Sequence, residues 1–358
     1  MPAGPSLAAA ACRRHGNLLY FAPEAVMSEL DVPVVDISGF STGDAAARAR
    51  VTREVADAVE GIGFLTIVGH GVPEKSMRDV SAVYRSFFDL PLDIKLKYVN
   101  RARNTNRGYV PFGEEFVASS HDAVAPPDWR ETFAFGRFDL PDDRYYADSD
   151  AGYAYEENIL PSETTDMVAT AKTFYRALED LNLRLLRIFA AALDIDETFF
   201  FDKFDKHASV LRAINYPEQD RPPEPGQLRC GAHSDFGTHT FLLIDDAPGG
   251  LQVLNRADEW VDVDPAPGSF VVNIGDLMMT WTNDRWLSNL HRVANPPPDA
   301  DRATRRQSIA FFVQPNYDAQ IECVETCRTP GEPAKHSPVI AWQHRHAKLN
   351  KTTIDQNR

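Results

Sequence analysis

The chain has 358 residues, a formal charge of -15 and a pI near 5.1, with 43% hydrophobic and 25% charged side chains. These values are close to globular averages and exclude a fibre or a wholly disordered chain, while the acidic balance without any basic stripe argues against nucleic acid as a partner. Four cysteines without a paired CxxC pattern exclude a disulfide scaffold and fit a reducing cytoplasm, and no apolar run reaches the roughly 18 residues that would span a membrane.

Leu7 to Cys12 is a short apolar run followed by Arg13 and Arg14, the reverse of a secretory signal. Residues 1–28 are read as a poorly ordered extension, with Met27 as a candidate natural start. Order is expected to begin at Val32-Pro33-Val34-Val35-Asp36-Ile37, an apolar strand-like run closed by Ser38-Gly39. Helical spacing over 44–60 ends at Gly61 and Gly63; Phe64 to Val68 then reads as a buried strand, and helical patterns return over 74–98. Asp122 to Asp150, rich in Pro, Asp and aromatic residues, reads as a long surface excursion. From Thr164 to Asp194 the chain is amphipathic, with Phe174, Leu178, Leu181, Leu185 and Ile188 on one face, so this helix is expected to back a sheet.

After residue 231 the texture changes to short apolar runs divided by turns: Thr240–Ile244, Leu251–Leu254, Phe270–Ile274, Leu277–Trp281 and Ile309–Val313. That pattern predicts strands of a sandwich or barrel. Because such folds often exceed the usual domain length, one catalytic domain is expected over 29–330, with an N-terminal α/β layer (29–160), a strand-rich core (205–318) and a helical tail or lid (331–358).

His233-Ser234-Asp235 leads into one of these strands. In extended chain, side chains two apart share a face, so an imidazole and a carboxylate can converge on one ion. His291, 56 residues beyond Asp235, offers a third ligand. Two histidines and one carboxylate on one face of an octahedron leave three positions open, the arrangement of Fe(II) oxygenases. Downstream, Arg306 and Ser308 again share a strand face, and a guanidinium offers a planar fork to the far carboxylate of a diacid.

Together these motifs resemble the iron(II)- and 2-oxoglutarate-dependent dioxygenases related to isopenicillin N synthase. The likeness runs from about 32 to 318 through Val32-Pro33-Val34-Val35-Asp36, Gly63-Phe64, Gly69-His70-Gly71-Val72, Arg107-Gly108-Tyr109, Asp128-Trp129-Arg130-Glu131-Thr132-Phe133 and Asn215-Tyr216-Pro217. It continues through Ala232 to Gly237, Gly249-Gly250-Leu251-Gln252-Val253, Asn273-Ile274-Gly275-Asp276, Trp281-Thr282-Asn283 and His291-Arg292-Val293. Each block is weak alone; their order is specific.

The resemblance implies a mainly β fold, a double-stranded β-helix (jelly roll) with flanking helices and an N-terminal helical layer. It makes His233, Asp235 and His291 the iron ligands, Arg306 and Ser308 the 2-oxoglutarate clamp, and Tyr216 a hydrogen-bond partner of that cosubstrate. Arg107, Tyr109, His239 and Phe312 are candidate substrate contacts; for each, local packing or bonding is the plainer alternative, and His239 stands where the family usually has an aliphatic residue.

The reaction implied is oxidation of a small molecule by dioxygen, as hydroxylation, desaturation or cyclisation, with 2-oxoglutarate converted to succinate and carbon dioxide. Secondary metabolism, antibiotic biosynthesis included, is the expected setting, in a cytoplasmic monomer or weak homo-oligomer. Alternatives are a cosubstrate-independent oxidase of the isopenicillin N synthase type, an ethylene-forming enzyme and an inactive jelly-roll binding protein. Asp245 to Gly249 reads as a hairpin turn, and the basic tail with Arg345, Lys348, Lys351 and Arg358 as a solvated helix or frayed terminus.

Overall fold

β-branched and aromatic runs supply most of the strands. The computed structural model describes residues 32–100, 106–118, 125–147, 154–219 and 221–352, so the extension read at 1–28 lies outside the described residues. In chain order the strands are β1 (Val34–Asp36), β2 (Phe64–Val68), β3 (Gly108–Val110), β4 (Glu131–Phe135), β5 (Val210–Tyr216), β6 (Cys230–His233) and β7 (His239–Ile244). There follow β8 (Leu251–Leu254), β9 (Trp260–Asp262), β10 (Phe270–Ile274), β11 (His291–Val293), β12 (Arg306–Val313), β13 (Gln320–Ile321) and β14 (Val339–Ile340).

The larger sheet runs β1-β2-β10-β7-β12-β5-β4-β3 and the smaller β6-β11-β8-β9. Residues of both sheets line one cavity, and the core is the jelly roll that the family resemblance implied. The long helix Met167–Ala192 covers the outer face of the larger sheet: Tyr175 meets Phe311 at 4.9 Å between ring centroids, and Phe189 meets His239 at 5.3 Å. The helices Ala45–Gly61 and Glu74–Phe88 complete that apolar layer, burying Val51, Val55, Val80, Tyr84 and Phe87. The inner face is left for chemistry.

One predicted strand is a helix. Leu277–Trp281 lies in the helix Asp276–Trp281, which begins at an extended Gly275 and carries Asp276 in its first turn. A five-residue apolar run does not distinguish a buried strand from a buried helix. The backbone decides here: Asp276 N–H donates to the Asp235 carbonyl (2.8 Å) and Leu277 N–H to that of Gly237 (3.0 Å), docking the helix on the metal-loop candidate. The two glycines there are sterically required. A Cβ on Gly275 would lie 2.5 Å from the Gly237 carbonyl oxygen, and one on Gly237 would lie 2.5 Å from that of Val313.

Candidate active site

Strand pairing itself brings the two histidines together, because β11 and β6 are antiparallel with His291 directly opposite His233. Their ring centroids are 4.3 Å apart. Asp235 follows β6 by two residues, and its Oδ1 is 3.9 Å from both His233 Nε2 and His291 Nε2. An ion with donors at about 2.1 Å bridges groups up to about 4.2 Å apart, so one ion fits both pairs. Among the described residues this is the one group of three or more His, Cys, Asp or Glu able to hold a metal.

Neighbouring groups orient each donor. Nδ1 of His233 lies 2.9 Å from the Gly231 carbonyl, and Nδ1 of His291 lies 3.2 Å from that of Asn289. A carbonyl only accepts, so each Nδ1 carries the proton and each Nε2 presents its lone pair. Burial, then the adjacent His291, holds the His233 pKa down and keeps that ring neutral. Asp235 Oδ2 accepts from Thr240 Oγ1 (2.6 Å) and Asn273 Nδ2 (2.7 Å), which turns Oδ1 toward the imidazoles. Phe64 packs edge-on against His291 at 5.4 Å.

The clamp candidates sit on the opposing wall. Arg306 pairs in register with Tyr216 across β12 and β5, and Ser308 is two residues along on the same face; all three line the cavity and are buried. Arg306 Nη1 donates to the carbonyls of Ala247 (3.0 Å) and Gly249 (3.2 Å), so the hairpin turn read at Asp245 to Gly249 props the guanidinium. Asp245 Oδ1 lies 3.7 Å away, and the buried Arg229 is a like-charged neighbour of Arg306, its own pKa pushed down to about 10 by burial and that repulsion. Desolvation raises the Tyr216 hydroxyl to about 12, so it remains a donor at neutral pH.

Of the four candidate substrate contacts, Phe312 and Tyr109 line the cavity. The Tyr109 hydroxyl, however, is committed to Glu131, which also takes Lys95 Nζ at 2.7 Å and Asn215 Nδ2 at 2.8 Å. Arg107 is not on the cavity wall: its guanidinium donates to the carbonyls of Glu156 (3.1 Å), Ala154 (2.9 Å) and Asn106 (2.8 Å). His239 is also outside. The bend at 236–237 resets the alternation, so Thr240 faces Asp235 while His239 points outward between Phe189 and Phe241. Both residues take the packing role that stood beside the substrate role.

Sequence reasoning missed the polar wall of the cavity. Arg130 binds Glu115 and Asp128 (each 3.1 Å), Glu115 also binds Arg212, and Arg130 Nη1 lies 3.0 Å from Cys230 Sγ. Arg345, read as solvated, is buried and lines the same cavity of about 1060 Å³. Its signal was present as a spacing, since Ala341, Arg345 and Leu349 fall every fourth residue and are all buried.

Known proteins share both halves of this architecture. Residues 32–163 match the model for the N-terminal region of non-haem dioxygenases in morphine synthesis, and 207–315 match that of the 2OG-Fe(II) oxygenase superfamily. A 2-oxoglutarate-Fe(II) type oxidoreductase of Emericella nidulans is 32% identical over 311 residues, 86% of each chain. Validamycin A dioxygenase of Streptomyces hygroscopicus subsp. limoneus is 30% identical over 286 residues, 78% of this chain and 76% of that one. Among solved structures, a full-length Neurospora crassa protein in complex with alpha-KG and thymine has a TM-score of 0.79 at 27% identity, covering 90% of this chain and 98% of that one.

Proposed function

Since the chain belongs to the 2OG-Fe(II) oxygenase superfamily, we propose that His233, Asp235 and His291 hold one ferrous ion, that Arg306, Ser308 and Tyr216 receive the far carboxylate of 2-oxoglutarate, and that a small molecule is oxidised between them. The observation that carries this reading is Asp235 Oδ1 at 3.9 Å from each imidazole Nε2, in a cavity shared with Arg306. Bound iron and 2-oxoglutarate supply the oxidant, drawing on dioxygen as 2-oxoglutarate is decarboxylated to succinate.

The chain's own groups set the conditions. His233 and His291 give neutral donors, Asp235 gives one charge, and Thr240 with Asn273 fixes which oxygen it presents. A ferrous ion, Asp235, dianionic 2-oxoglutarate and Arg306 sum to zero, and the flanking Arg229 and Asp245 add one charge of each sign. Neutrality matters because an uncompensated buried ion costs several kcal/mol. Ile214, Leu242, Val293, Ala310 and Phe312 give the cavity shared by clamp and triad an apolar lining.

A relative named for validamycin A supports secondary metabolism, antibiotic biosynthesis included, as the setting. Free thiols at Cys230, Cys323 and Cys327 support a reducing cytoplasm, and among the described residues no helix is long and apolar enough to cross a membrane. We take residues 29–330 as the catalytic unit of a monomer or weak homo-oligomer, with 331–358 as its helical tail or lid. The test is stoichiometry: with Fe(II), dioxygen and substrate, one succinate forms per 2-oxoglutarate consumed, and omitting 2-oxoglutarate stops oxidation. Substrate oxidation without 2-oxoglutarate would move the enzyme to the isopenicillin N synthase type.

A further inference from the structure

The helix Ala341–Thr352 is anchored beside the metal triad. His344 Nε2 and Lys348 Nζ lie 3.5 and 3.0 Å from Asp276 Oδ2, and Asp276 heads the helix that docks on the Asp235 loop. This anchoring turns Arg345 and Leu349 onto the cavity wall.

Arg345 is 4% exposed and differs from the cavity's other arginines. Arg130 pairs with Glu115 and Asp128, Arg212 with Glu115, and Arg306 has Asp245. Among the described residues Arg345 has no carboxylate partner, and its Nη2 has no hydrogen bond. Its charged neighbour is Arg107, of the same sign; burial and that repulsion push its pKa down to about 10, which leaves it cationic at neutral pH. A buried cation without a partner among the described residues is costly to fold, and such cost is characteristic of a group kept for a ligand.

The ligand is not 2-oxoglutarate. Arg345 shares a small recess with Gln314, the residue after β12, whereas Arg306 starts that strand. Seven steps at about 3.3 Å place the two ends about 23 Å apart. Arg306 and Arg345 thus belong to opposite ends of this strand, with the metal triad lining the same cavity.

We propose that Arg345 receives a carboxylate of the primary substrate, so that the enzyme oxidises a small carboxylic acid anchored at the end of the cavity remote from Arg306. This rests on the iron and 2-oxoglutarate reading above for the oxidation itself, while the anion site can be tested separately.

The test is anaerobic calorimetry on the protein loaded with Fe(II) and 2-oxoglutarate, using benzoate and hexanoate as probes and benzamide and hexanamide as neutral matches. The expected result is saturable binding of the acids at least about tenfold tighter than of the amides. Arg345→Met should abolish that preference, Arg345→Lys should keep part of it, and the affinity for 2-oxoglutarate should stay within about twofold in both. A purely structural arginine would stabilise the fold, so a further readout is the melting temperature of the ligand-free protein, which Arg345→Met should hold or raise. Equal binding of acids and amides, no saturable acid binding, or a lowered melting temperature in Arg345→Met overturns the proposal. Failure to bind 2-oxoglutarate in the unaltered protein strikes the earlier reading instead, and the acid-to-amide comparison still decides this one.

Discussion

Replacing Arg306 by Gln isolates the clamp. Arg306 is 4% exposed, and among the described residues its hydrogen bonds are from Nη1 to the carbonyls of Ala247 and Gly249, which leaves Nε and Nη2 uncommitted for a carboxylate. Truncating one partner of a buried, hydrogen-bonded charge pair costs about 2–5 kcal/mol, or about 30- to 5000-fold in affinity. The upper part of that range is expected here, because Asp245 remains with its Oδ1 where the cation stood 3.7 Å away and repels the incoming diacid. Anaerobic titration of the Fe(II) protein with 2-oxoglutarate measures the change. In Arg306→Gln the affinity should fall by about 1000-fold. Adding Asp245→Asn should recover part of the loss, since it removes the repulsion. An Arg306→Gln protein that binds 2-oxoglutarate within about threefold of the unaltered enzyme would refute the clamp assignment.

Other perturbations probe separate parts of the site. Asn273→Ala and Thr240→Val should each weaken iron binding by about 10- to 100-fold, because they free Asp235 Oδ2 and loosen the carboxylate's orientation; a chelator competition titration reads this directly. Buried His239 has its pKa pushed down to about 3 from 6.5, so it stays neutral in the fold. Below pH 6.5 the unfolded chain binds a proton that the folded chain does not, and stability is therefore present at neutral pH and lost as pH falls toward 3. At pH 5 the loss is about 2 kcal/mol, and denaturant midpoints of His239→Phe should show a correspondingly flatter pH dependence. Asp276→Asn should loosen the helix Ala341–Thr352, which the contacts of Asp276 with His344 and Lys348 hold in place, and limited proteolysis should then cut the tail faster with the rest of the chain intact.

What the sequence could convey was set by how local each signal is. His233 with Asp235, and Arg306 with Ser308, were legible because alternation along a strand tells which side chains share a face; the family resemblance joined His291 and the two pairs into one site, and the structure brings all five to one cavity. His239 was ambiguous for the same reason: the bend over Phe236-Gly237 breaks the alternation, and no local pattern tells which phase follows it. Leu277–Trp281 looked like a strand because five apolar residues fit either element, and the docking of its first N–H groups on the Asp235 loop is a long-range contact. Arg345 was hidden by composition. A basic stretch reads as a solvated face, whereas here three residues at four-residue spacing, one of them an arginine, form the buried stripe.

The most direct measurement of the central claim is an anaerobic crystal structure of the protein with Fe(II) and 2-oxoglutarate. The account predicts one iron bound by His233 Nε2, Asp235 Oδ1 and His291 Nε2 at about 2.1 Å, with the far carboxylate of 2-oxoglutarate on Arg306 and Ser308. Iron held without Asp235 or His291, a fourth side chain closing the coordination sphere, or 2-oxoglutarate oriented away from Arg306 would contradict it.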